Sequence, residues 1–182
     1  IVIHSATKYL CGHGDSLGGA IITNDEWAAK IRHGRNIYGG VLSPFNAFMI
    51  LRGLQTLPLR MQKHNDNAMK VASFLSDHPD VAEATYPGLS THPGHTLAAS
   101  ILPNGFGGMV GLQIAGGADA VNRFRERLRL CKPWVSLGDT GSLAYVRWEE
   151  KHKGVEAGYV RLSVGLEDVN DIIADLNNAL SE

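Results

Sequence analysis

The stretch HSATKYLCGHGDSLGGAII, residues 4–22, is the most informative segment of the chain. It continues the apolar run IVI at residues 1–3, which predicts a buried strand. Ser5 and Thr7 then place hydroxyl groups at alternate positions before Lys8. A lysine amine can form an imine with a carbonyl cofactor, and the hydroxyls can bind a phosphate beside it. Alone this spacing is weak evidence, since it also fits a surface lysine after a strand.

Composition argues against several classes of partner. The 182 residues carry 17 basic and 18 acidic side chains, so we expect neither nucleic acid nor an anionic membrane as a partner. No apolar run has the length of a membrane span, and no signal peptide is visible. Cys11 and Cys131 are far apart, and the eight histidines show no zinc-ligand spacing. We therefore expect a cytoplasmic protein without a metal site.

The chain opens without methionine, inside the first predicted strand. Because a polypeptide rarely starts there, we expect that a preceding segment has been removed or is supplied by another chain.

Hydrophobic periodicity predicts an α/β protein. The first part has strands on either side of the lysine connection, a helix at residues 26–33 capped by Asn24 or Asp25, and a glycine-rich loop at 34–43. Ser43 and Pro44 begin a helical stretch to about residue 76, which Pro58 breaks or kinks. Beyond it, strands are predicted at 81–86, 108–114, 135–137, 144–148 and 159–163, and helices at 95–101, 118–130 and 167–180.

The lysine region resembles that of the Cys/Met-metabolism family of pyridoxal-phosphate (PLP) enzymes. This family includes methionine γ-lyase, cystathionine γ-lyase, cystathionine γ-synthase and the homoserine-ester sulfhydrylases. Further blocks follow in the family's order: VLSPFNAFMILRGLQTLPLR at 41–60, YPGL at 86–89, SLGD at 136–139 and YVRLSVGLED at 159–168. Together the blocks cover nearly the whole chain.

The resemblance implies the C-terminal part of a fold-type-I PLP-dependent transferase. Residues 1–76 would be the C-terminal part of the large PLP-binding domain with its connecting helix. Residues 77–182 would be the small α/β C-terminal domain. The family's assemblies further imply a homo-tetramer or hetero-oligomer.

The same resemblance assigns roles to individual residues. Lys8 is the Schiff-base lysine and carries the substrate's Cα proton, and Ser5 and Thr7 bind the cofactor phosphate beside it. Ser136 helps to place the substrate, and Arg161 clamps its α-carboxylate. Arginine suits that role because its planar fork can meet a carboxylate bidentately and stays charged.

The chain departs from the family pattern in two places. The family's N-terminal half is absent, and we expect it as a second chain or segment. The interval between SLGD and Arg161 is shorter by about ten residues, with AYVRWEE at 144–150 where relatives carry a His-Pro segment. Arg147, within that segment, is the alternative ligand for the carboxylate.

Three functions stay open at this point. The first is a PLP-dependent carbon–sulfur lyase that performs γ-elimination on methionine- or cystathionine-type substrates. The second is γ-replacement on an O-acyl-homoserine, and the third is a non-catalytic subunit that retained the fold. The intact lysine and arginine motifs argue against the third, because a dead copy has no chemical need of them.

Overall fold

The computed structural model describes residues 1–146 and 158–181. The chain has two compact units, Ile1–Leu57 and Pro58–Glu182. None of the described helices is both long and apolar enough to cross a membrane. The elements are β1 (Val2–Ser5), β2 (Gly19–Ile22), α1 (Asp25–Tyr38), α2 (Pro44–Leu54), α3 (Leu57–Ser76), β3 (Val81–Thr85), α4 (His95–Ile101), β4 (Met109–Ile114), α5 (Gly117–Arg127), β5 (Leu143–Val146), β6 (Tyr159–Ser163) and α6 (Val169–Leu180).

In the first unit, β1 and β2 form a two-stranded antiparallel sheet in which Ile3 lies opposite Ile21 and Ser5 opposite Gly19. The prediction that residues 1–3 form a buried strand is correct for the strand and wrong for its burial. All four residues of β1 are exposed. A two-stranded ribbon cannot cover its own apolar side chains, so their burial requires a layer beyond the described part of this unit.

Helix α1 is longer than predicted. Asn24 caps it, as expected, by accepting a hydrogen bond from the Trp27 N–H at 3.1 Å. The loop predicted at 34–43 begins only at Gly39, which ends the helix in the left-handed conformation with φ 73°. Gly34 stays helical, because one glycine inside a helix costs only about 1 kcal/mol relative to alanine and does not end it.

Helices α2 and α3 confirm the predicted cap and break. Ser43 accepts a hydrogen bond from the Asn46 N–H at 3.2 Å, and Pro44 occupies the first turn of α2. Helix α2 ends at Leu54, and α3 begins at Leu57, next to Pro58. By its contacts α3 falls almost wholly in the second unit.

The second unit is a four-stranded antiparallel sheet in the order β3-β4-β6-β5. Apolar side chains from the sheet, α3, α5 and α6 form one core, which includes Leu75, Leu112, Phe124, Val160 and Leu176. The strand predicted at 135–137 is wrong. The carbonyl groups of Val135 and Ser136 there accept hydrogen bonds from the Arg161 side chain. The strand predicted at 144–148 is described only to residue 146. Its last two positions, which include Arg147, lie outside the described residues.

Candidate active site

Lys8 lies in a kinked π-helical turn, Ala6–Leu10, that follows β1 directly. The Cys11 N–H donates to the Ala6 carbonyl at 3.0 Å, and the Gly12 N–H donates to the Lys8 carbonyl at 2.7 Å. Lys8 departs from helical geometry, with φ −93° and ψ −130°, and its side chain is half-buried. The turn therefore fixes the backbone on both sides of the lysine.

Helix α2 packs against the same turn without space for a side chain at Gly53. A Cβ on Gly53 would collide with the Cys11 carbonyl oxygen and lie 2.8 Å from its carbonyl carbon. Ala6, Cys11 and Ile50 are buried together at this contact and form the small core of the unit. The position of Lys8 thus depends on close packing between a helix and the turn.

Ser5 and Thr7 lie on the same short stretch as Lys8. Ser5 is exposed at the end of β1. The Thr7 hydroxyl accepts a hydrogen bond from the Gly18 N–H at 3.0 Å and donates to the Gly18 carbonyl at 3.3 Å. The donated bond is long for a hydroxyl, so a phosphate oxygen would be a stronger acceptor. An amine and two hydroxyl donors in this arrangement fit a carbonyl cofactor that carries a phosphate.

In the second unit, Arg161 is held on two main-chain carbonyls and one aromatic ring. One terminal nitrogen, Nη2, donates to the Val135 carbonyl at 2.7 Å and to the Ser136 carbonyl at 3.1 Å. The guanidinium carbon lies 5.0 Å from the ring centroid of Tyr145, its cross-strand neighbour in β5. Its Nε is buried without a hydrogen-bond partner among the described residues. The structure therefore brings Ser136 and Arg161 together.

Tyr145 was missed by the sequence analysis. It lies in the segment that departs from the family pattern, so no motif singles it out. Only the pairing register of β5 with β6 places it opposite Arg161. An aromatic face against a guanidinium restrains and partly desolvates the charge. Tyr145 thus joins the candidate substrate site.

The two thiols are unsuited to nucleophilic chemistry. Burial raises the pKa of Cys11, and a hydrogen bond to Asp15 at 3.1 Å raises it further. Burial, followed by the nearby Asp175 carboxylate, also raises the pKa of Cys131. Both thiols stay protonated at neutral pH, which leaves the Lys8 amine as the nucleophile that the site offers. Across residues 1–146 and 158–181, no cluster of histidine, cysteine or acidic side chains could hold a metal ion.

The fold and these residues define the chain as part of a fold-type-I PLP-dependent enzyme. The sequence profile described as "Cys/Met metabolism PLP-dependent enzyme" matches residues 1–181, and the chain belongs to this family.

The relatives of the chain carry several activities within that family. It is 44% identical to an L-methionine gamma-lyase of Fusobacterium nucleatum subsp. polymorphum, over 100% of this chain and 49% of the relative. It is also 44% identical to a cystathionine gamma-synthase of Mycobacterium leprae, over 100% of this chain and 48% of the relative. The crystal structure of metB from Corynebacterium glutamicum superposes with a TM-score of 0.92 at 40% identity, covering 98% of this chain and 48% of that chain.

The chain therefore spans about half the length of the curated relatives it matches. The alignment with the Fusobacterium lyase runs over 194 positions, whereas this chain has 182 residues. This chain therefore lacks some residues that the relative has. That difference has the same direction as the shorter interval between SLGD and Arg161.

Proposed function

We propose that this chain supplies the half of a carbon–sulfur lyase that carries Lys8 and Arg161, and that the enzyme performs γ-elimination on methionine- or cystathionine-type amino acids. The products are a keto acid, ammonia and a thiol. The proposal rests on two groups. The Lys8 amine lies on a rigid turn in the first unit, and Arg161 is hydrogen-bonded to the Ser136 carbonyl in the second. The similarity to L-methionine gamma-lyases over the whole chain supports the elimination reaction.

The residues of the first unit bind the cofactor and move protons. Ser5 and Thr7 would donate hydrogen bonds to the cofactor phosphate, and the Lys8 Nζ would be the amine that holds its carbonyl carbon. Bound PLP supplies an electron sink for the carbanion at the substrate Cα. The Lys8 Nζ, when neutral, would be the base that takes the proton from the substrate Cα.

The residues of the second unit bind and orient the substrate. The Arg161 guanidinium meets the α-carboxylate, which every substrate of this class shares, so this contact orients the Cα–H bond without reading the side chain. Ser136 lies beside it and restricts how the substrate lies. Selection of the sulfur-bearing side chain must come from other groups.

The chain must be completed to work as an enzyme. We propose that the family's N-terminal half is supplied as a second chain or segment, and that the assembly is a homo-tetramer or hetero-oligomer in the cytoplasm. The apolar side chains that the first unit exposes support a covering partner, among them Ile3, Ile22, Val41, Phe45 and Phe48.

A γ-replacement on an O-acyl-homoserine is the second candidate, favoured by the similarity to cystathionine gamma-synthases. An assay that presents the assembled enzyme with methionine, cystathionine, and O-acyl-homoserine plus cysteine separates the two. Keto acid from the first two substrates supports the lyase. A thioether from the third without keto acid from the others would refute it. Loss of both reactions in Lys8→Ala checks that the activity is that of this protein.

A further inference from the structure

The loop at residues 136–142 carries Ser136, yet most of it has no regular structure of its own. Hydrogen bonds with β6 and with the turn after β6 hold this loop in place. The Gly138 N–H donates to the Ser163 hydroxyl at 2.8 Å, and the Leu166 N–H donates to the Thr140 carbonyl at 2.7 Å. The Arg161 side chain, which lies on β6, also donates to the Ser136 carbonyl. The same strand therefore positions both the loop and the arginine.

The C-terminal end of this loop is clamped by Glu167. Its carboxylate accepts the Ser142 N–H at 2.6 Å on Oε1 and the Ser142 hydroxyl at 2.9 Å on Oε2. The Ser142 hydroxyl in turn accepts the Gly165 N–H at 2.9 Å. A Cβ on Gly165 would lie 2.5 Å from the Thr140 carbonyl oxygen, so the two segments approach as closely as their backbones permit. Bonds to a carboxylate are stronger than neutral ones, so Glu167 is the strongest link between loop and turn.

The turn that carries Glu167 is itself fixed to helix α3. Asn67 is buried and donates through Nδ2 to the Gly165 and Glu167 carbonyls, each at 2.9 Å. His64 is buried as well, and its Nδ1 lies 2.7 Å from the Val164 carbonyl. These hydrogen bonds fix the turn to α3. The Glu167 carboxylate then links the turn to the loop at Ser142.

We propose that Glu167 is a positioning residue for substrate binding: through Ser142 its carboxylate sets where the Ser136 loop meets Arg161. The inference rests on the proposed function, because it takes Arg161 as the site of the substrate carboxylate. Glu167→Gln tests it with little change in volume. Glutamine keeps the shape of the side chain but removes its charge, so the bonds to the Ser142 N–H and hydroxyl lose their charge assistance and weaken.

Helix α3, which holds the Glu167 turn through Asn67 and His64, also offers a control residue. Asn65 accepts the Gly107 N–H and donates to the Asn104 carbonyl, each at 2.8 Å, and thereby ties α3 to a different loop. Hydrogen exchange of the assembled protein should be faster at residues 136–142 in Glu167→Gln and at 104–107 in Asn65→Ala. In the assembled enzyme, Glu167→Gln should raise KM for two sulfur amino acids by roughly 10- to 100-fold, because small misplacements of orienting groups have effects of this size. The fall in kcat should be smaller, and the PLP absorbance should stay unchanged. Asn65→Ala should leave KM unchanged.

The outcomes separate this inference from the proposed function. A wild-type assembly without turnover of any sulfur amino acid overturns both. An active wild type in which Glu167→Gln and Asn65→Ala give equal KM values overturns the positioning role alone. If Glu167→Gln does not fold, Ser142→Ala removes the hydroxyl bonds and keeps the Ser142 N–H bond. An unchanged KM in that variant then overturns the role.

Discussion

Loss of the Arg161 guanidinium should weaken every amino-acid substrate to a similar degree. The structure holds Nη2 on the Val135 and Ser136 carbonyls, so the guanidinium is positioned before any substrate arrives. Loss of a charged, hydrogen-bonded partner whose counterpart is left buried costs about 2–5 kcal/mol. At ~1.4 kcal/mol per factor of ten, Arg161→Ala should lower kcat/KM by roughly 30- to 4,000-fold. Arg161→Lys should recover only part of this, since an ammonium cannot reproduce the fork.

The assay is kcat/KM for two sulfur amino acids with different side chains, measured alongside the PLP absorbance. The loss should be similar for both substrates, with normal cofactor content, because the cofactor contacts lie in the other unit. If Arg161→Ala spares kcat/KM, or instead removes the cofactor, the assignment of the α-carboxylate to Arg161 is wrong. Arg147 would then be the next basic residue to test.

Two further predictions concern the supports of the sites. Gly53→Ala should lower the free energy of unfolding by about 1–3 kcal/mol and reduce PLP binding, because the added methyl group collides with the Cys11 carbonyl. Urea denaturation and cofactor titration measure this. In the control Gly34→Ala the added Cβ meets no atom within 4 Å, so neither stability nor PLP binding should fall. Burial lowers the pKa of His64 from its ordinary 6.5, so the unfolded chain binds the proton first. Stability should therefore fall as pH drops below about 6.5 and keep falling down to the folded-state pKa, and His64→Asn should show a smaller fall between pH 8 and pH 5.5 in denaturant unfolding. Equal pH dependence in the two proteins would contradict the second prediction.

Local chemistry in the sequence was enough to predict most elements. The caps at Asn24 and Ser43 and the break at Pro58 depend on side chains and backbone limits within a few residues. Where the prediction is wrong, either a contact with a residue distant in sequence determines the structure, or the local residue is a weaker signal than the prediction assumes. Gly34 predicts a helix end yet stays helical. Residues 135–137 predict a strand, but Arg161, 25 residues beyond Ser136, binds the Val135 and Ser136 carbonyls.

The candidate site was predictable only in its motif residues. Lys8 and Arg161 lie in recognisable blocks, and their resemblance to a known family implied their roles. Tyr145 lies opposite Arg161 only through strand register. Glu167 lies within the block at 159–168, but its contact with Ser142 is tertiary and no local pattern contains it. The contact of Gly53 with the lysine turn likewise exists only once α2 packs on it. A sequence therefore reveals the reacting groups more readily than the residues that position them.

Covalent attachment of the cofactor to Lys8 is the central claim, and borohydride reduction followed by peptide mapping tests it most directly. Reduction of the assembled protein with PLP converts the imine to a stable secondary amine. We predict a pyridoxyl mass on the peptide that contains Lys8, and none in Lys8→Ala. A pyridoxyl mass on any other lysine of this chain, or on no lysine at all, would contradict the account.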